Sequence, residues 1–99
     1  MTHEEFDNIK RVIKNYKSKK NDLLEKRNDI ESQLRDNKIT PWQGDLLIDD
    51  LYKEFEETQE RNEFNQLAQK ATKDNKFEKY FRAAHLQVFF NINLNPESL

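Results

Sequence analysis

Residues 6–34, FDNIKRVIKNYKSKKNDLLEKRNDIESQL, decide the fold of this chain. Their apolar and aromatic side chains recur at spacings of three and four, namely Phe6, Ile9, Ile13, Tyr16, Leu23, Ile30 and Leu34. This period is typical of a long helix that packs on another helix in coiled-coil fashion. Lys20 and Arg27 also fall on this seam. Because buried cations need partners, we expect them either to reach solvent or to pair with acids across the interface.

The signals that start and stop helices divide the chain into three segments. Thr2 and Glu5 form a capping box, and no Gly or Pro interrupts residues 3–38, so we predict one helix over about 3–38. Thr40-Pro41 starts a second helix over about 41–72, and the short connection makes the two helices antiparallel neighbours. Asp74 caps a C-terminal segment over about 75–94. The predicted fold is all-α, a long antiparallel, coiled-coil-like helical hairpin with a shorter C-terminal helix or tail.

The C-terminal segment carries a second pattern that leaves its structure open. Apolar residues occupy every other position from Leu86 to Leu94, which is the period of a half-buried strand. One interpretation is a frayed helix end followed by an apolar tail laid across the hairpin. The other is an extended segment that pairs with another chain, because one strand alone is not a sheet.

Composition supports a single helical domain over residues 1–99. Asp, Glu, Lys and Arg make up 36% of the chain, which suits an elongated helical protein, and one Gly and two Pro provide few turns for a sheet. No apolar run is long enough to span a membrane, and we see no signal-peptide core. Without cysteine the chain fits a reducing compartment. We expect a cytoplasmic protein without membrane contact, or alternatively one secreted without a cleaved signal peptide.

Charge is segregated along the chain. Residues 8–21 contain six Lys and Arg and no acid, whereas residues 45–63 contain eight acids against two bases. In an antiparallel hairpin, Lys17, Lys19 and Lys20 would lie near Glu60 and Glu63, which predicts partial neutralisation. The candidate residues for nucleic-acid contact are Lys10, Arg11, Lys14 and Lys17, because positions 10, 14 and 17 share a helical face. The alternative is a solvated helix surface.

Groups for catalysis or cofactor binding are scarce. The chain has two His residues, far apart in sequence, and no zinc-protease, phosphate-loop, nucleophile-elbow or calcium-loop motif. Adjacent carboxylates such as Asp49 and Asp50 point about 100° apart on a helix and do not converge on a substrate. We therefore expect a protein that is not an enzyme and that needs no cofactor or metal.

Aromatic residues suggest what the chain does instead. Seven Phe, three Tyr and one Trp are many for so polar a chain, and a single hairpin buries its seams poorly. We predict a homodimer and a non-enzymatic protein–protein interaction module: an adaptor, assembly factor or inhibitor of a partner protein. The candidate partner-binding residues are Phe77, Tyr80, Phe81, Phe89 and Phe90, and of the adjacent pair Phe89 and Phe90 one must face outward or into a second chain. The alternative function is nucleic-acid binding through residues 10–20.

The stretch Trp42-Gln43-Gly44, between two predicted helices in a chain of this length, resembles the WXG family. That family consists of small secreted helical hairpins, so the resemblance implies a four-helix dimer and export by a dedicated secretion machine. The chain departs from the family at its export signal, because Tyr80-Phe81-Arg82-Ala83-Ala84 does not fit Tyr-x-x-x-Asp/Glu. Independently, Thr40-Pro41 makes Trp42 look like a helix-start residue, which we expect to be buried beside Ile39 and Leu46.

Overall fold

The computed structural model describes residues 2–98, and within them it is all-helical, as predicted, with 85% of residues in helix and no strand. Four α-helices follow one another: α1 (His3–Arg35), α2 (Pro41–Glu56), α3 (Gln59–Lys73) and α4 (Asn75–Phe90). A short 3₁₀ turn, Pro96–Ser98, ends the described chain.

The first helix begins where the capping box predicts and ends three residues early. The Thr2 hydroxyl accepts a hydrogen bond from the Glu5 amide at 3.2 Å. Asn37 takes a left-handed conformation with φ of 57°, and the Lys38 amide donates to the Gln33 carbonyl at 2.9 Å. Asparagine tolerates this conformation better than most residues, so it closes α1 at Arg35 rather than near residue 38.

The predicted second helix over 41–72 is wrong in its continuity, because it is two helices. The break falls at Glu57–Thr58, where the Thr58 hydroxyl accepts from the Arg61 amide at 3.3 Å and donates to the Phe55 carbonyl at 2.7 Å. A threonine that satisfies these backbone groups competes with a continuous helix and caps a new one. The apolar density of the sequence falls after Phe55, a signal that we did not interpret as a break.

The last helix starts at the predicted cap and ends inside the period-two stretch. The Asp74 carboxylate accepts from the Lys76 and Phe77 amides at 3.0 and 3.2 Å. Asn91 adopts φ of 55°, and the Ile92 amide donates to the Leu86 carbonyl, which ends α4 at Phe90. Residues 86–90 are therefore helical and 91–95 are irregular, so the alternation does not form a strand in this chain.

The connected cluster of core residues lies at one end of the molecule, and Leu23 and Ile30 of α1 are buried separately at the other end. The buried residues of the cluster come from the first half of α1, from α3 and from α4: Ile9, Ile13, Ala71, Phe77 and Ala84. In the other half, α1 packs on α2 alone: the Arg27 guanidinium donates to the Tyr52 hydroxyl at 2.7 Å, and Leu34 lies against Gly44. Among the described residues α4 does not contact α2.

The 52 × 24 × 19 Å molecule therefore has two unlike ends. With 16 residues, α4 covers only about half of the 33-residue α1, at about 1.5 Å per residue. The chain after α4 does not continue over the remainder, because the Tyr80 hydroxyl donates to Glu97 at 3.4 Å and holds it beside α4. We call residues 22–57 the two-helix end, and residues 2–21 with 58–98 the three-helix end.

Candidate protein-interaction surfaces

Two of the four candidate nucleic-acid contacts use their ammonium groups within the fold. Lys10 forms an ion pair with Asp7 at 3.2 Å. Lys17 donates to the Val88 carbonyl at 3.0 Å and lies 5.6 Å from the centre of the Phe89 ring. Lys17 thus helps to hold α4 on α1. Its ammonium group, which we had proposed as a phosphate ligand, is therefore already hydrogen-bonded within the fold.

The other two candidates are at the surface. Arg11 donates to the Asn8 side chain at 2.7 Å, one turn earlier in α1. Lys14 is exposed and lines an open groove between α1 and the end of α4. The structure therefore does not bring the four cations together as one free stripe.

The seam cations behave differently from each other. Arg27 donates to Glu31 on its own helix at 3.0 Å as well as to Tyr52 on α2. These hydrogen bonds, that to Glu31 foremost, raise the pKa of Arg27 above its ordinary value. Lys20 stays exposed, 5.9 Å from the centre of the Tyr16 ring. Of the two alternatives, Lys20 reaches solvent, whereas Arg27 pairs across the interface with a phenol rather than an acid.

The predicted neutralisation of Lys17, Lys19 and Lys20 by acids of the returning helix is wrong. Among the described residues, every ion pair joins side chains three or four residues apart in one helix. Lysine side chains at these positions instead contact a carbonyl or an aromatic ring, or extend into solvent. The acids of α2 consequently have no ion-pair partner within the described part of the chain.

The candidate partner-binding aromatics divide between core and surface. Phe77 is 5% exposed and belongs to the core, and Tyr80, Phe81 and Phe89 are half-buried against it. Phe90 is 63% exposed. The expectation that one of the adjacent pair Phe89 and Phe90 faces outward is confirmed, because neighbours on a helix diverge by about 100°.

His85 lies within the aromatic layer of α4 rather than at a reactive site. Its ring stacks on Phe89 at 4.6 Å. Burial, and then the nearby Lys20 cation, lower the pKa of His85 below its ordinary value. Residues 2–98 contain no group of three His, Asp or Glu side chains placed to hold a metal ion.

The prediction that Trp42 is buried is wrong, since its side chain is 70% exposed. Gly44 marks the face of α2 that meets α1, because a Cβ there would stand 2.7 Å from Leu34. Trp42 and Leu46 each lie two residues from Gly44, about 200° around the helix, and so point away from α1. With the neighbouring Leu47 they form an exposed apolar surface on the first two turns of α2, which we call the α2 patch.

Acidic side chains border the α2 patch, and the exposed Lys53 lies on the same face one turn beyond them. Asp45, Asp49 and Asp50 are all exposed and, among the described residues, form no ion pair. The two-helix end holds eleven acids against five Lys and Arg, a net charge of −6, and the rest of the chain holds eight against twelve, a net charge of +4. The fold thus converts charge runs along the sequence into an acidic end and a basic end.

A second apolar surface lies where α4 ends. Phe90, Ile92 and Leu94 are exposed, and we call them the C-terminal patch. No Lys, Arg, Asp or Glu occurs from residue 83 to residue 96, and the nearby charges are cations of α1, since Lys14 and Lys17 line a groove with Asn91.

None of the described helices has the length and apolarity needed to cross a bilayer.

Comparisons of the chain with protein-family models, with curated proteins and with solved structures find no match.

Proposed function

We propose that this chain is a non-enzymatic protein–protein interaction module, an adaptor, assembly factor or inhibitor, that acts in the cytoplasm through its helical faces. The observation that carries the proposal is that exposed large apolar side chains occur close together in the chain, three in the α2 patch and three in the C-terminal patch. Single exposed apolar residues are ordinary on protein surfaces, whereas contiguous ones mark interaction sites.

The total surface of the chain supports the same proposal. The accessible area is 7171 Å², whereas a compact 12.0 kDa monomer exposes roughly 6,000 Å². The excess of about 1,200 Å² exceeds the roughly 800 Å² that each partner contributes to an interface of standard size. An elongated chain with a thin two-helix end has surface available for a partner without unfolding.

We infer further that α1 and the returning helices act as an antiparallel, coiled-coil-like hairpin, and that the C-terminal patch joins two copies into a homodimer. A two-fold interface places the same residues of both copies against each other. The C-terminal patch suits this arrangement better than the α2 patch, because residues 83–96 carry no formal charge and the end that holds them has the smaller net charge, +4 against −6. Phe90 is the aromatic side chain with the most surface to bury there.

Sedimentation equilibrium tests the homodimer. Wild-type protein in the micromolar range should have about twice the chain mass of 12.0 kDa. Phe90→Ser should lower the measured mass toward the monomer, because it removes the central apolar contact. Leu24→Ser, which alters an exposed leucine on α1, is the matched control and should leave the mass unchanged. A wild-type monomer at every concentration would contradict the homodimer.

Nucleic-acid binding has less support, because Lys10 and Lys17 already contact Asp7 and Val88. An electrophoretic shift of duplex DNA that weakens steeply with salt, and is lost when Lys10, Lys14 and Lys17 are reversed in charge, would favour that function instead.

A further inference from the structure

The α2 patch has the composition of a binding epitope. Trp42 and Leu46 stand one turn apart on the face of α2 opposite to α1, and Leu47 extends the surface to one side. Tryptophan is enriched among the few residues that dominate binding energies, and helical ligands commonly present apolar side chains at spacings of three and four. The fold itself leaves Trp42 without a buried environment.

The charge around the patch indicates what would cover it. Asp49 and Asp50 follow Leu46 by three and four residues, and so border the patch at the next turn. Asp45 flanks Trp42 and Leu46. The whole two-helix end carries a net charge of −6, so cations on a partner would gain from this field.

From this arrangement we propose that the α2 patch docks a basic amphipathic helix of a partner protein. The apolar face of that helix covers Trp42, Leu46 and Leu47, and its Lys and Arg side chains reach the three aspartates. This inference rests on the proposed function, since it names the chemistry of the partner that the module binds.

A second copy of the chain is a poorer occupant of this surface. A two-fold contact through the α2 patch would bring together two ends of net charge −6, and like charges in apposition oppose association. The C-terminal patch lies at the end of net charge +4, so a two-fold contact there meets a smaller repulsion. The two apolar surfaces are therefore assigned to different partners, one to another protein and the other to a second copy.

Titration with a synthetic helix tests the proposal on the full chain. The probe is a peptide with leucine at helical spacings of three and four and lysine elsewhere, and the readout is emission from Trp42, the one tryptophan of the chain. We expect a saturable shift to shorter wavelength as the indole leaves water. A peptide of the same pattern with glutamate in place of lysine should produce no shift.

Matched variants separate the site from general attraction between opposite charges. D45N/D49N/D50N, and separately Leu46→Ser, should weaken binding about tenfold or more, the loss of a few charge or apolar contacts. D22N/E25Q/D29N removes the same charge from exposed positions on α1, and should weaken binding by no more than about twofold.

Three results would overturn the proposal. The first is no emission shift with the lysine peptide, and the second is equal weakening in both triple variants. The third is a blue shift that grows with protein concentration without peptide, which would make a second copy the occupant. A wild-type chain that dimerises normally and does not bind the peptide would refute this inference alone, whereas a chain that does neither would also contradict the proposed function.

Discussion

Gly44 is a residue at which α2 approaches α1 closely. A Cβ at this position would lie 2.7 and 2.8 Å from the two terminal methyl carbons of Leu34, too close unless that side chain turns aside. The backbone of Gly44 does not have a positive φ, so this position does not require the conformational freedom of glycine. Glycine instead lets the two helices approach closely because it has no side chain.

Gly44→Ala tests this contact in a double-mutant cycle with Leu34→Ala. Alanine in place of a helical glycine usually gains about 1 kcal/mol in the free energy of unfolding. In the wild-type background we expect a smaller gain, because Leu34 must move, and in the Leu34→Ala background we expect the full gain. Urea unfolding measures both values, and equal gains in the two backgrounds would show that the contact does not matter.

Trp42 provides a second residue-scale test. At low protein concentration its emission should already be at the long wavelengths of a solvated indole. Trp42→Ala should change the free energy of unfolding by less than about 0.5 kcal/mol, as is usual for surface positions. Ile13→Ala, at a fully buried position, is the comparison and should cost about 2–5 kcal/mol. Native emission at short wavelength in dilute monomer would contradict the exposed placement.

His85 links stability to pH. Burial and Lys20 lower its pKa in the folded chain, so the unfolded chain, with a pKa of about 6.5, takes up the proton more readily. The stabilising effect of a neutral His85 is complete above a pH of about 6.5 and is lost as the pH falls from there toward the folded-state pKa. His85→Phe should reduce this loss, and His3→Gln, at an exposed position, should not. Identical acid dependence in wild type and His85→Phe would refute the assignment.

At the scale of the elements, the helix caps decide most of the secondary structure. The caps at Thr2, Thr40 and Asp74 were predicted from sequence because each precedes a clear helical pattern. Thr58 was not, because Phe64, Leu67 and Ala68 resume the helical spacing beyond it and imply continuity. The left-handed Asn37 and Asn91 were missed too, since asparagine occurs both in helices and at their ends.

Thr58→Ala tests whether the break between α2 and α3 depends on its cap. The substitution removes the acceptor for the Arg61 amide and should lower the free energy of unfolding by about 1 kcal/mol. Thr72→Ala is the matched control, because the Thr72 hydroxyl donates to the Gln69 carbonyl within α3 and caps no helix start. If the two variants lose the same stability in urea unfolding, Thr58 does not act as a cap.

At the scale of the whole molecule, the sequence shows which charged and apolar groups are present, but not where the fold places them on the surface. The basic and acidic runs are visible along the chain, but their assignment to opposite ends follows only from the return of α3 and α4 over the first half of α1. The direction of Trp42 could have been read from the helical period. Ile48, Leu51, Tyr52 and Phe55 share one face of α2 with Gly44, and Trp42 and Leu46 lie opposite that face, whereas we had expected Trp42 to be buried.

The core at the three-helix end explains why most of the aromatic residues that we predicted to bind a partner are buried or half-buried within the chain. Phe77, Phe81 and Phe89 complete a core with Phe6, Tyr16 and Phe64, which α1 and α3 contribute from far away in sequence. Local pattern alone does not distinguish an aromatic that awaits a partner from one that its own chain covers. Phe90 is exposed, unlike these residues, because it is the last residue of α4.

The most direct test of the interaction function is photo-crosslinking in the native cell from three positions of the full chain. A photoreactive amino acid at position 46 probes the α2 patch, one at position 90 probes the C-terminal patch, and one at Asn15, exposed on α1, is the control. We predict a defined adduct with another protein from position 46, an adduct of two copies of the chain from position 90, and neither from position 15. Equal, diffuse labelling from all three positions would contradict the account.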